Sequence, residues 1–120
     1  MAGELNTLGL VEVAAKIRTR DASAVEVLEA VLARANAVQP KLNAFLRIDE
    51  ELAREQAKLC DAESAKRRFR GPLHGVPLAH KDMYYREGVP SSCGSKIKGK
   101  EPEKTTASAL KRLDAAGAIQ

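Results

Sequence analysis

The first part of the chain carries apolar residues at helical spacing. The first set follows the i, i+3, i+4, i+7 rule of a single helical face and consists of Leu10, Val13, Ala14 and Ile17. This pattern predicts a helix that has Thr7 as its N-cap and ends near Asp21.

A second helix has a clear start signal. In Ser23-Ala24-Val25-Glu26, the side chains of Ser23 and Glu26 can each accept a hydrogen bond from the other's free backbone amide. Its expected apolar face is Leu28, Val31, Leu32 and Ala35. Pro40 lies beyond its expected end. Because only a few residues separate the first two helices, we expect an antiparallel hairpin.

The next two elements are a strand and a third helix. Residues 43–48 (Asn-Ala-Phe-Leu-Arg-Ile) predict a short strand. Asp49 can cap a helix that runs to about Ala65. We expect its inner side to hold the alanines with Leu52, Leu59 and Cys60.

After a basic connector at residues 67–71, the pattern changes from helices to short extended segments. Val76–Lys81 predicts a strand, and because Pro77 lacks a ladder donor, we expect this strand to begin at a sheet edge or just after a loop. Residues 83–103 hold most of the remaining Gly, Pro and Ser and predict a long ordered loop.

A last helix is expected to begin at Thr105 or Thr106, with Leu110 and Leu113 facing inward. Gly117 is a suitable C-cap, and residues 118–119 predict the start of another strand. The order of elements indicates an α/β fold whose sheet is incomplete within these 120 residues.

Composition narrows the classes of function. Hydrophobic content of 44% and charged content of 30% are typical of a globular domain. The net charge of +4 comes from interspersed charges, and the basic runs at residues 66–70 and 96–100 have few aromatics between them. Such runs are more typical of solvated loops than of a nucleic-acid interface.

Location also follows from the residue pattern. No apolar run approaches the ~20 residues of a membrane span, and the N-terminus lacks the pattern of a secretory signal. Two cysteines do not suggest a disulfide scaffold. We therefore expect a cytoplasmic protein that binds neither membranes nor nucleic acid.

Candidate chemistry is concentrated in residues 71–82, Gly-Pro-Leu-His-Gly-Val-Pro-Leu-Ala-His-Lys-Asp. This run places Lys81 at the end of an apolar segment with fixed backbone geometry. A lysine is a base only when neutral, and lowering a lysine pKa from about 10.4 to about 7 requires about 4 kcal/mol. Desolvation in a closed pocket can supply that amount.

Residues 71–96 resemble the lysine-bearing block of the amidase signature family, with the glycines, the prolines and the Lys-Asp pair in register. Residues 42–45 and 113–119 resemble family segments at the same relative positions, so the likeness covers essentially the whole chain. The version around Ala79-His80-Lys81-Asp82-Met83 resembles bacterial amidases and the amidase components of transamidosomes, although many members carry an aliphatic residue at the position of His80.

The resemblance implies the N-terminal part of a mixed-sheet amidase fold with flanking helices. It implies hydrolysis of carboxamide C–N bonds by a serine, a second serine in a cis peptide and a lysine, here Lys81, without metal or cofactor. The family's Gly-Gly-Ser-Ser-Gly-Gly block, which carries both serines, does not occur in residues 1–120. We therefore expect a small amide substrate for the full-length enzyme and no activity from this stretch alone.

Within a single partial domain, residues 1–68 are interpreted as a helical region and residues 69–120 as the lysine strand, loop, helix and next strand. Two alternatives stay open. One is an interaction module that complements a separate C-terminal part or subunit, and the other is a basic nucleic-acid-binding helical domain.

Other polar residues are weaker candidates. His74 and His80 have no evident third metal ligand, and His80 is expected to pack or to hydrogen-bond. Cys93 is expected to be small and buried rather than nucleophilic. Asp82 is expected to fix the lysine strand through backbone amides or to pair with a base. The three serines of the following loop are expected to shape a pocket wall; they are Ser91, Ser92 and Ser95.

Overall fold

The computed structural model describes residues 2–120, with side chains from residue 4 onward. The described residues contain five helices: α1 (Ala2–Leu5), α2 (Leu10–Thr19), α3 (Ala24–Leu42), α4 (Glu50–Ala65) and α5 (Ser108–Ala115). The sequence pattern did not predict α1. None of these helices is both long enough and apolar enough to cross a bilayer.

The start of α2 differs from the expected one. Gly9 is the N-cap, and its backbone N–H donates to the Glu12 carboxylate at 2.8 Å. Thr7 lies two residues earlier, and its hydroxyl donates to the backbone oxygen of Glu4 at 2.8 Å. The prediction of Thr7 as the cap was therefore wrong, because a backbone amide and the carboxylate three residues later close the first turn without a side-chain cap.

The capping box of α3 is confirmed. The Ser23 hydroxyl accepts from the backbone N–H of Glu26 at 3.0 Å, and the Glu26 carboxylate accepts from that of Ser23 at 2.8 Å. The helix continues past Pro40, contrary to expectation. The proline lies in the last turn, so only one intrahelical hydrogen bond loses its donor there.

The expected α2–α3 hairpin does not form. The chief partners of α3 are α4 and α1. The α2 residues Val13 and Ile17 instead pack in a cluster with Val27 and Val76, so α2 covers the lysine-bearing segment. Arg20 ends α2 in the left-handed conformation at φ 68°, and the chain changes direction there.

Small side chains allow α3 and α4 to pack closely. Ala57, Cys60 and Ser64 form the buried stripe of α4, and Ala57 and Cys60 share a core cluster with residues of α3 and with Ile119. Leu52 and Leu59 are 44% and 57% exposed, so their expected inward position was wrong.

Residues 43–48 are not a strand. The side chain of Gln39 donates to the backbone oxygen of Phe45 at 2.7 Å and accepts from its N–H at 3.1 Å. The Gln39 amide thus satisfies the backbone groups of Phe45 that a neighbouring strand would otherwise satisfy. Asp49 does precede α4 as expected, but its carboxylate pairs with Arg47 and does not cap the helix.

Short parallel pairing joins the lysine-bearing segment to the end of the chain. The backbone N–H of Ile119 donates to Val76 at 2.9 Å, and that of Leu78 donates to Ile119 at 2.8 Å. Pro77 lies at the bridge between them, where its missing N–H costs no ladder bond. Neither predicted strand forms as a strand: among the described residues each is reduced to one side of an isolated bridge, at Pro77 and at Ile119.

The turn around α5 completes this part of the fold. The helix begins after Ala107, because the Thr106 hydroxyl accepts instead from the backbone N–H of Glu87 at 3.0 Å. Leu110 is buried as expected. Gly117 follows the end of α5 at φ +94°, and an added Cβ would lie 2.8 Å from the Cα of His74. This glycine therefore allows the two extended segments to approach.

Candidate functional site

Lys81 lies just beyond the paired segment, where the chain leaves the core. It borders an open cavity of about 790 Å³. Four separate parts of the chain form the walls, and the lining residues are Leu46, Lys81, Asp82, Met83, Tyr85, Cys93, Gly94 and Ala107. The cavity is largely apolar apart from the Lys81–Asp82 pair.

The Lys81 side chain is exposed, contrary to the desolvated setting expected for a base. Within the described residues it has no hydrogen-bond or ion-pair partner. Its neighbour Asp82 interacts elsewhere, so the simplest alternative, a Lys81–Asp82 ion pair, is not formed. The ammonium group is free to meet a partner that enters the cavity.

Asp82 binds the loop that follows the lysine block. Its carboxylate accepts from the Ser92 hydroxyl and from the Ser92 backbone N–H, which lies 3.2 Å from each carboxylate oxygen. The Ser92 hydroxyl, with additional backbone N–H groups at residues 92–94, lowers the pKa of Asp82. The first of the two roles considered for Asp82, binding to backbone amides, therefore matches the structure.

The three serines of this loop are structural partners, in line with the expected pocket wall. Ser91 is buried and donates its hydroxyl to the backbone oxygen of Asp82. The Ser92 hydroxyl also accepts from the N–H of Gly94 at 3.2 Å, and that of Ser95 from the N–H of Ile97 at 3.2 Å. These bonds bring Cys93 and Gly94 to the cavity.

Two expectations about neighbouring side chains were wrong. Cys93 is exposed and has φ +51°, because the tight turn at residues 92–94 directs it outward. His80 is exposed as well, and its side chain has no hydrogen-bond partner among the described residues, so it has neither of its two expected roles. The exposure of these two residues could not be assigned from the sequence, because burial depends on contacts between residues distant along the chain.

His74 is a buried hydrogen-bonding junction. Its Nδ1 accepts from the backbone N–H of Arg70 at 3.0 Å, so Nε2 carries the proton and donates to the backbone oxygen of Cys60 at 3.0 Å. The Ser64 hydroxyl lies 3.1 Å from the same nitrogen. His74 thus connects α4 to the segment that precedes Lys81.

Cys60, Glu63 and His74 lie close enough together to suggest a cation site. Their bonding argues against one. Both ring nitrogens of His74 are engaged, and the Glu63 carboxylate pairs with Arg70 at 2.7 and 3.0 Å. Burial raises the pKa of the Cys60 thiol, which disfavours the thiolate that a metal requires.

Several cavity residues were missed in the sequence. Leu46 was assigned to a strand, and Met83 and Tyr85 to an undivided loop. The Tyr85 ring carries Lys98 Nζ 4.1 Å from its centroid, and Lys98 also binds Glu103. The available signal was the Met-Tyr-Tyr run directly after the lysine block, since it contains both tyrosines of the chain.

The part of the chain that contains the cavity is similar to known proteins. A family model described as Amidase matches residues 26–120, which include the lysine block. A glutamyl-tRNA(Gln) amidotransferase subunit from Anaeromyxobacter dehalogenans (strain 2CP-C) is 42% identical over 118 residues, which are 98% of this chain and 24% of that protein. The corresponding protein of Streptomyces coelicolor is 44% identical over 90% of this chain and 22% of its own length. The chain thus spans about a quarter of the length of the curated relatives it matches.

Solved structures give the same result for the fold. An amidase crystal structure matches with a TM-score of 0.84 and 36% identity, over 93% of this chain and 25% of that one. A fatty acid amide hydrolase matches with a TM-score of 0.91 over 98% of this chain and 21% of that one; its 24% identity supports the fold alone. The expected fold class is confirmed.

Proposed function

Because this chain belongs to the amidase family, we propose that residues 1–120 are the N-terminal, lysine-bearing part of an enzyme that hydrolyses carboxamide C–N bonds. Lys81 is the base in this proposal. It takes the proton of a serine hydroxyl carried by a different segment of the enzyme, through a second serine in a cis peptide. The substrate is a small amide, and residues 1–68 and 69–120 are two regions of one partial domain.

One observation carries the proposal. Lys81 lies within the stretch that matches the family, borders the cavity and has no partner among the described residues. A base must reach the proton that it removes, and an ammonium already bound to a carboxylate would be poorly suited to that task. The bonds between Asp82 and Ser92 keep the Asp82 carboxylate from pairing with the Lys81 ammonium.

The exposure of Lys81 sets a requirement on the complete site. A solvated lysine is protonated at neutral pH and cannot activate a serine. We propose that the serine-bearing segment closes the cavity and removes water from Lys81. The apolar walls formed by Leu46, Met83 and Tyr85 would favour such desolvation.

Replacement of Lys81 tests the proposal in the purified gene product that contains this chain. Ammonia release from a panel of small carboxamides is measured for the wild type and for Lys81→Met, which keeps the length of the side chain but cannot accept a proton. Loss of a general base should lower kcat by about 10²–10⁴-fold.

Lys111→Met is the matched control, since Lys111 is an exposed lysine on α5, outside the cavity lining. It should retain wild-type turnover. Retention of kcat by Lys81→Met would contradict the assignment. So would serine-dependent turnover by residues 1–120 alone, because the proposed nucleophile lies outside them.

A second candidate follows from the similarity to amidotransferase subunits, which by their name work in an assembly. In that case this chain complements a separately encoded C-terminal part or subunit. Mixing experiments distinguish the two: activity that appears only after a second polypeptide is added favours complementation, and activity of a single polypeptide favours the first candidate.

A further inference from the structure

We propose that Asp82 is a positioning residue that holds the Ser91–Gly94 loop, whose Cys93 and Gly94 line the same cavity as Lys81, and so controls how tightly the amide substrate binds. The proposal rests on the proposed function for its kinetic consequence. Its structural part concerns the loop alone.

The first observation is the number of bonds that converge on one residue. The Asp82 carboxylate accepts hydrogen bonds from the hydroxyl and the backbone N–H of Ser92. The backbone oxygen of Asp82 accepts a hydrogen bond from the Ser91 hydroxyl. Both ends of Asp82 are thus bound to consecutive residues of the same loop. No helix and no run of strand pairing holds these residues in place.

The second observation is the position of the residues that the clamp supports. Cys93 and Gly94 follow Ser92 directly and line the cavity, and both have positive φ, of 51° and 71°. Gly94 adopts this conformation readily, whereas Cys93, as a non-glycine residue, would rarely hold it without a constraint. The Gly94 N–H donates to the Ser92 hydroxyl, which is itself bound to Asp82, so Asp82 also helps to hold this turn.

The third observation is the different bonding of the two neighbouring side chains. Lys81 and Asp82 both line the cavity, yet only Asp82 is bound to the loop. Of the two neighbours, Lys81 has an ammonium group that is unpaired within the part of the chain the structure describes, and Asp82 has a carboxylate that binds the loop carrying the lining residues Cys93 and Gly94. If the clamp opens, the cavity widens without any change at Lys81, so substrate binding should suffer before the chemical step.

Hydrogen exchange on the purified gene product tests the clamp without any need for turnover. In Asp82→Ala, the amide hydrogens of Ser92 and Gly94 should exchange about tenfold faster or more, because a hydrogen bond to a charged acceptor is lost. Asp82→Asn keeps one acceptor oxygen and should lie between the wild type and Asp82→Ala. Ser92→Ala should also accelerate exchange at residue 94.

Asp49→Ala is the matched control, since it removes an exposed aspartate whose partner is Arg47, far from the loop in sequence. It should leave exchange at residues 92–94 unchanged. Unchanged exchange in Asp82→Ala would overturn the proposal. Equal acceleration at Ser92 and throughout α3 would also overturn it, because Asp82 would then support the whole fold and not the loop.

The kinetic arm uses the carboxamide assay. Asp82→Ala should raise KM about tenfold while kcat falls less than about threefold, and Asp82→Asn should recover part of the KM. A fall in kcat at constant KM would overturn the positioning role. Insensitivity of turnover to Lys81→Met would refute the proposed function only, since the exchange result would still decide whether the clamp exists.

Discussion

The helical region (described from residue 2 to residue 68) and the lysine-bearing region (residues 69–120) are stabilised in different ways. In the first, three helices of ten or more residues satisfy most backbone groups internally. In the second, the only helix among the described residues is the eight-residue α5, strand pairing is limited to isolated bridges, and single side chains such as His74, Asp82 and Thr106 bind neighbouring backbone. The candidate site is therefore built on the less regular region.

The difference shows how the site is supported. His74, Val76 and Ile119 are buried against the helical region, whereas Lys81 and its neighbour His80 are exposed. The chain packs against the core up to Leu78 and becomes exposed just before Lys81. Order at the candidate base thus depends on packing between the two regions, which can be tested where they touch.

The largest effect is expected for Gly75→Ala at this contact. Gly75 has φ +75°, and an added Cβ would lie 2.8 Å from the Cβ of Ala24 and 3.5 Å from that of Cys60. Backbone strain and overpacking should together lower the free energy of unfolding by about 3 kcal/mol. Urea denaturation followed by circular dichroism measures the loss.

Gly88→Ala serves as its control. Gly88 has a similar φ of +79° but no atom within 4 Å of the added Cβ. It should cost only about 1 kcal/mol, which is the strain of the left-handed conformation. Equal losses for the two variants would mean that close packing between the regions contributes nothing.

The same division explains what the sequence could predict. The Ser23–Glu26 box and the start of α4 after Asp49 depend on residues next to each other, and both were located correctly. The absence of a strand at residues 43–48 depends on Gln39, whose side-chain amide hydrogen-bonds to the backbone N–H and oxygen of Phe45. No pattern of apolar residues records such a bond.

The candidate site shows the same limit. The lysine block was evident from residues 71–82, and its family is confirmed. The exposure of Lys81 and Cys93 was not predicted, because burial is set by atoms distant in the sequence. The role of Lys81 stays a prediction, and its expected desolvation requires groups that residues 2–120 do not supply.

A smaller effect is expected from Asp61, which links two helices within the helical region. Its carboxylate accepts from the backbone N–H groups of Ala24 and Val25, at 2.7 and 3.1 Å, so a residue of α4 caps the first turn of α3. Asp61→Ala should lower the free energy of unfolding by about 1–2 kcal/mol, as for other lost helix caps.

Calorimetry or urea denaturation measures this change, and Asp61→Asn should recover part of it because the amide oxygen still accepts. Asp49→Ala is the matched aspartate variant, since Asp49 precedes α4 without capping it. Its effect should stay below about 0.5 kcal/mol. Similar losses for Asp61→Ala and Asp49→Ala would rule out the cross-helix cap.

The smallest effect on the free energy of unfolding is expected when the pH is lowered. Hydrogen bonds from Arg54 lower the pKa of Glu29, those from Asn36 and then Arg54 lower that of Glu50, and Arg70 lowers that of Glu63. A lowered folded-state pKa stabilises the fold above the unfolded value of 4.5. Below pH 4.5 the unfolded chain binds more protons, so this stability is lost as pH falls through the lower folded values.

The urea midpoint should therefore be flat above about pH 5.5 and fall as the pH drops below about 4.5. The slope should be modest, because exposed ion pairs contribute little and are screened by salt. Arg54→Met removes the partner that joins Glu29 on α3 to Glu50 on α4, and should flatten part of the acid slope. An unchanged slope in Arg54→Met would show that acid acts elsewhere, and the Glu63–Arg70 pair beside His74 would be the next place to test.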